Sequence, residues 1–132
     1  MSVCGIDLGS FKTKSYVAWL EDGHFSFDVY IPSKDKPLPT VHDNISPSTH
    51  YAIDGPQSLP AIINKRRECD RLANTPTSIL PKNRQELSTW KMYKQLIECG
   101  IEVFWSAHKN GLASIGGIEA LNIALPIIIE TY

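Results

Sequence analysis

Apolar positions at the start of the chain come in short runs with the spacing of β-strands. Residues 2–8, Ser-Val-Cys-Gly-Ile-Asp-Leu, form an apolar run that ends at Gly9-Ser10. A second run, Ser15 to Leu20, is rich in β-branched and aromatic residues, and Glu21-Asp22-Gly23 separates it from a third, His24 to Ile31. Asp-Gly between two such runs predicts a hairpin, because both turn residues tolerate positive φ. In the third run Phe25, Phe27, Val29 and Ile31 alternate with more polar residues, which suits a strand with one buried face. The opening pattern is three antiparallel strands.

The pattern then changes. Pro32, Pro37, Pro39 and Pro47 mark residues 32–48 as loop. Tyr51-Ala52-Ile53 is a short strand that ends in Asp54-Gly55-Pro56. Residues 64–73 are charged and helical in pattern, with Asn74-Thr75-Pro76 as a stop. From Gln85 to Cys99 the residues Leu87, Trp90, Tyr93, Leu96 and Ile97 recur at spacings of three and four, an amphipathic helix. Asn83 suits its N-cap, Glu86 the capping-box position and Gly100 its C-cap. Ile115 to Leu125 reads as another short helix, and Pro126-Ile127-Ile128-Ile129 as a last strand before Glu130-Thr131-Tyr132. This order of β-β-β, loop, β, helices and β predicts an α/β fold, a mixed sheet with helices packed on it. Without a repeat or a composition break, residues 1–132 read as a single domain.

Composition narrows the partners. The chain has 132 residues, 42% of them apolar and 20% charged, an ordinary globular balance. A net charge of -1 gives no global attraction for nucleic acid, so such affinity would need a local patch or a metal site. The start lacks the basic and apolar regions of a signal peptide, and no apolar run is long enough to span a bilayer. Cys4, Cys69 and Cys99 are odd in number and have no Cys-x-x-Cys spacing, which reads as free thiols in a reducing compartment. The expected location is cytoplasmic, without membrane association, and the formal glycosylation sequon Asn44-Ile45-Ser46 is then a chance match.

Candidate chemistry centres on three acids in one context. Asp7, Asp54 and Glu130 each follow an apolar strand, where ionisation is costly unless a cation or hydrogen-bond donors compensate. If the strands lie side by side, the carboxylates converge on one edge of the sheet. Such a cluster of hard oxygens suits Mg²⁺ or Mn²⁺, and two ions about 4 Å apart would clamp both oxygens of a phosphodiester displacement. The plainer alternative for each acid, and for Asp54-Gly55 above all, is a turn residue that caps backbone donors. Arg66 and Arg67 are candidate phosphate contacts, because a guanidinium matches phosphate geometry. Against that, Arg67 and Asp70 at i, i+3 also suit a helix-surface ion pair.

Two segments carry a family resemblance. Tyr51-Ala-Ile-Asp54-Gly-Pro-Gln-Ser-Leu-Pro60 and Arg66-Arg67-Glu68-Cys69-Asp70-Arg71-Leu72 resemble the DUF429 family of predicted nucleases, whose fold is RNase H-like. Gly5-Ile6-Asp7 and Ile129-Glu130-Thr131-Tyr132 fall at the matching places near the two ends. The resemblance implies a β-β-β-α-β-α-β core, with Asp7, Asp54 and Glu130 as the metal-binding acids of a hydrolase acting on nucleic acid or a nucleotide. Gly55 and Gln57 stand where the family more often has Ala and Leu. The family pattern also leads one to expect a Pro and a C-terminal helix with a further acidic ligand after the last strand. Because the sequence stops at Tyr132, the expectation is a truncated domain, or one that completes its site in trans.

Two other readings stay open. Gly5-Ile-Asp7-Leu-Gly9-Ser10, with Lys12, Thr13 and Lys14, is similar to the first phosphate loop of actin-like ATPases, where Gly9 would let the backbone approach a phosphate. The chain could instead be a non-catalytic assembly module, with an open flank beside strand 127–131 covered by a partner or a second copy. Other signals fail. Gly111–Ile118 begins like a P-loop but lacks its Lys-Ser/Thr, and His24, His42, His50 and His108 lack zinc spacing. Cys69 has no identifiable partner His and reads as a small buried hydrophobe. Trp90 and Tyr93 share a helical stripe with aliphatics, so they read as core. Lys82, Arg84, Lys91 and Lys94 read as a solvated helix surface.

Overall fold

In a computed structural model of the chain, the residues described are 2–40, 49–56, 58, 59, 67, 72, 80–91, 93–115 and 126–131. The strands are β1 (Ser2–Asp7), β2 (Ser15–Glu21), β3 (His24–Tyr30), β4 (Thr49–Asp54), β5 (Ser114–Ile115) and β6 (Ile127–Thr131). The helices are α1 (Arg84–Thr89) and α2 (Lys94–Lys109). Most of the helix expected over 64–73, most of that over 115–125, and Arg66, Cys69 and Asp70 lie outside the described residues.

The strands form one sheet in the order β3-β2-β1-β4-β6-β5. β1, β2 and β3 pair antiparallel, whereas β4 joins β1 in parallel, and β6 and β5 continue the parallel half. The β2–β3 hairpin forms at Asp22-Gly23, with φ of 49° and 81°, the paired positive values of a type I′ turn. The mixed sheet expected from the strand order is therefore present. One strand is new. Ile115, expected to begin a helix, instead pairs with β6 together with Ser114 as the outermost strand, and the Ser114 N–H donates to the Pro126 carbonyl at 2.8 Å. β5 thus covers the first two residues of the β6 flank that was expected to be open. The turn at Gly111, φ 67°, ends α2 and sends the chain into β5.

Alternation along the strands sorts residues onto two faces. Cys4, Ile6, Val17, Trp19, Tyr51, Ile53 and Ile128 share one face and are buried. α2 covers this face with Cys99, Val103, Phe104 and Ala107, which join the strand residues in a single apolar cluster. Burial in that cluster pushes the Cys4 and Cys99 thiols up to about 12 and raises the Tyr30 and Tyr51 hydroxyls as well.

The single helix expected from Gln85 to Cys99 is two helices. Asn83 caps α1 as expected, accepting from the Glu86 N–H at 2.8 Å, while Glu86 reaches back to the Lys82 N–H. Ser88 and Thr89 then donate their hydroxyls to the Gln85 and Glu86 carbonyls. The Glu86 carbonyl is the one that would accept the Trp90 N–H, which bonds the Leu87 carbonyl instead, so the Thr89 hydroxyl competes with helix continuation. α2 restarts after Tyr93 at φ 62° and runs on through Gly100. Gly100 is no C-cap; it is where α2 touches the loop after β4. A Cβ there would stand 2.8 Å from the Pro56 carbonyl oxygen and 3.0 Å from Pro56 Cδ.

The third run departs most from expectation. Phe25 and Phe27 are 70% and 80% exposed, and Val29 and Ile31 are exposed with them. Their alternation is real, but the face they share is the one α2 does not cover.

The buried thiols and phenols set an alkaline limit on stability. Their ordinary values are 9.0 for the thiols and 10.0 for the phenols, and folding raises all four. Above pH 9 the unfolded chain therefore releases protons that the folded chain keeps, and stability falls as pH rises. The urea midpoint is expected to drop steadily between pH 8.5 and about 10.5. In a Cys69→Ser background, Cys4 and Cys99 should also resist an aromatic disulfide reagent at pH 8 until denaturant is added. Rapid labelling of the folded chain would contradict this burial.

Candidate functional site

Asp7 is the last residue of β1 and Asp54 the last of β4. The strands run parallel with Asp7 and Asp54 as register partners, so both side chains leave the same face of the sheet at the same end. Both are exposed, and among the described residues neither carboxylate meets a hydrogen-bond donor or a cation. Two features fix their backbones. The Leu8 N–H reaches the Asp54 carbonyl at 3.4 Å, and Gly55 packs so closely that a Cβ would meet Leu8 Cδ2 at 3.1 Å. Pro56 then seats against Gly100 of α2, tying the end of β4 to the helix layer.

The turn from β1 to β2 folds on itself beside these acids. The Gly9 N–H donates to Ser15 Oγ, that of Ser10 to Thr13 Oγ1, and that of Lys12 to Ser10 Oγ. The Thr13 N–H donates to the Ser10 carbonyl. A Cβ on Gly9 would stand 2.5 Å from the Lys14 carbonyl oxygen, so only glycine permits this closure. These amides are engaged inside the protein and do not form a cradle for phosphate. Lys12 and Lys14 project from the turn as exposed cations.

Glu130 stands elsewhere. It is the register partner of Ile53, not of Asp54, and therefore belongs to the face opposite Asp7 and Asp54. Its carboxylate takes a bidentate contact from Arg67, at 2.8 Å from Nη1 and 2.7 Å from Nη2, and Arg67 Nη1 also donates to the Ser58 carbonyl at 3.2 Å. The side chains are 5% and 9% exposed. The expected convergence of three acids is thus a pair, Asp7 with Asp54. The acid expected to join them and the arginine expected to contact phosphate face each other instead. The physical reason is the two-residue period of a strand: one position of register moves a side chain to the other face. Among the described residues no three His, Cys, Asp or Glu side chains come together.

Sequence reasoning gave no sign of the Ser58 carbonyl or the Pro56–Gly100 contact, because both depend on segments brought together only by folding. A groove of about 560 Å³ runs between α1, α2 and residues 58 and 59, past Arg84, Glu98 and Glu102, and includes neither aspartate.

In comparisons with known proteins, no family model, no curated protein and no solved structure matches the chain.

The Arg67–Glu130 contact is a buried bidentate pair, and removing either side chain takes a close partner from a buried charge. Arg67→Met or Glu130→Leu alone should each cost about 3–5 kcal/mol in chemical denaturation. The double change to Met and Leu should recover most of that loss. Additive losses in the double variant would show that the two side chains do not act as a unit.

Proposed function

We propose that this chain is a metal-dependent nuclease or phosphodiesterase domain of RNase H-like fold, with Asp7 and Asp54 as its metal-holding carboxylates. The observation that carries the reading is the register pairing of the two acids on one exposed face, with no described cation beside them. Two like charges at adjacent strand ends favour a divalent cation between them. Mg²⁺ and Mn²⁺ suit this donor set, since Mg²⁺ commonly keeps several waters and takes one or two carboxylates from the protein. A cation held there would supply Lewis-acid polarisation of a phosphoryl oxygen and a more acidic bound water.

The chain's own residues have distinct parts in this reading. Asp7 and Asp54 bind and orient from rigid strand ends rather than from a loop. Lys12 and Lys14, on the neighbouring turn, offer positive charge to the phosphates of a nucleic acid or nucleotide. Arg67 and Glu130 act through structure, bracing the end of β6 against the loop at Ser58. The strand order and the resemblance at residues 51–72 support the RNase H-like assignment.

The actin-like reading loses support from the β1–β2 turn, whose amides are engaged internally. A non-catalytic module of the same fold is the second reading, favoured by the pairing of Glu130 with Arg67 instead of with the two aspartates.

Millimolar Mn²⁺ or Mg²⁺ is expected to raise the thermal midpoint by about 3–8 °C. Asp7→Asn and Asp54→Asn should each abolish that rise, with little loss of stability in metal-free buffer. Manganese-dependent cleavage of an activated phosphodiester should disappear in the same variants. An equal thermal shift in Asp7→Asn would remove the aspartate pair from the proposal.

A further inference from the structure

The sheet face opposite α2 carries a relief that register makes explicit. Phe27, Ala18, Gly5, Ala52 and Ile129 lie in one row across β3, β2, β1, β4 and β6. Phe27 at one end of the row is 80% exposed, and the next three residues are the smallest available. A Cβ added to Gly5 would meet only the Ala18 carbonyl oxygen, at 4.0 Å. The space above Gly5 is open, so glycine there serves no packing need within the chain.

Rows on either side extend the apolar surface. Phe25 pairs with Leu20 and Val3 in one, and Val29 with Tyr16 in the other. Phe25, Tyr16, Val3, Leu20, Val29 and Ile129 are all at least 36% exposed. With aromatic side chains near 200 Å², the exposed apolar area on β1, β2 and β3 is roughly 600 Å², against roughly 800 Å² per partner in stable complexes. Monomers rarely present a contiguous apolar patch of that size. Among the described strand residues, acidic, lysine and arginine side chains on this face are confined to Asp7 and Asp54 at one end.

We propose that this face is the interface of a two-fold symmetric homodimer, in which Phe27 of each copy packs over Gly5 of the other. The geometry is self-complementary. β3 and β1 flank β2, and neighbouring strands lie about 4.8 Å apart. A two-fold axis parallel to the strands and above β2 therefore carries the β3 of one copy over the β1 of the other. Both aromatic ridges fill both hollows in one isologous contact, at the roughly 10 Å spacing of stacked sheets. The same rows set Val29 of each copy over Asp7 of the other, so the aspartate pair of the proposed function is open to a cation and substrate in the monomer and closed in the dimer. Addition at the sheet edge is disfavoured by Asp28. In this hairpin register the Val29 N–H faces away from β2, and Asp28 Oδ1 accepts it at 2.7 Å.

Sedimentation equilibrium on the full chain tests the proposal. At about 50 µM the wild type is expected at twice its 14.7 kDa. Phe27→Lys removes the ridge and Gly5→Leu fills the hollow; each should sediment as a 14.7 kDa monomer with an unchanged circular dichroism spectrum. Both positions are free of internal packing demands, so each variant checks the other. A wild type that remains monomeric at that concentration overturns the proposal, as does a dimer that persists in both variants. A monomer that floats with phosphatidylcholine vesicles overturns it in favour of a lipid surface.

Discussion

The parallel ladder between β1 and β4 is the contact on which the rest of this structure depends. It joins an antiparallel half, built by local hairpins, to a parallel half that needs long crossovers. Its register determines which residues share a face and places Asp7 beside Asp54. The close approaches that hold it, Gly55 under Leu8 and Gly100 against Pro56, lock the end of β4 between the first strand and α2. A shift by one residue would turn Asp54 into the core and Ile53 out of it, at a cost no local interaction could offset.

That ladder also divides the charge of the domain. On the open face two carboxylates stand together in solvent, a repulsive arrangement that a divalent cation relieves. On the covered face a third carboxylate is buried against a bidentate arginine, which also donates to a backbone carbonyl. The two solutions suit their surroundings. Exposed acids tolerate each other through water and ions, whereas a buried acid requires its counter-ion in fixed geometry. The two arrangements stand on opposite sides of one sheet.

The same division explains the aromatic ridge on β3. Alternation of Phe25, Phe27 and Val29 marks a strand with one apolar face, and that inference about the strand is sound. Which face the rest of the fold covers is a separate matter, decided by where α2 packs. Because α2 lies on the side of Trp19 and Val17, the phenylalanines are left outside. Beside the small residues at Ala18, Gly5 and Ala52 they give the domain a surface with the shape of an interface.

What the sequence by itself determined is local or pairwise in nature. The Asp22-Gly23 turn, the first four strands, the Asn83 cap and the place of Asp7 and Asp54 at strand ends follow from propensities and spacings within a few residues. Tertiary structure decided the rest. The break between α1 and α2 depends on hydroxyls that compete only weakly with the backbone, the role of Gly100 on a contact with Pro56, and the partner of Glu130 on a residue 63 positions away. The outer strand β5 depends on β6 being there to receive it. Sequence period assigns a residue to one of two faces; only packing decides which face is covered, and with it whether a strand-end acid meets solvent, another acid or an arginine.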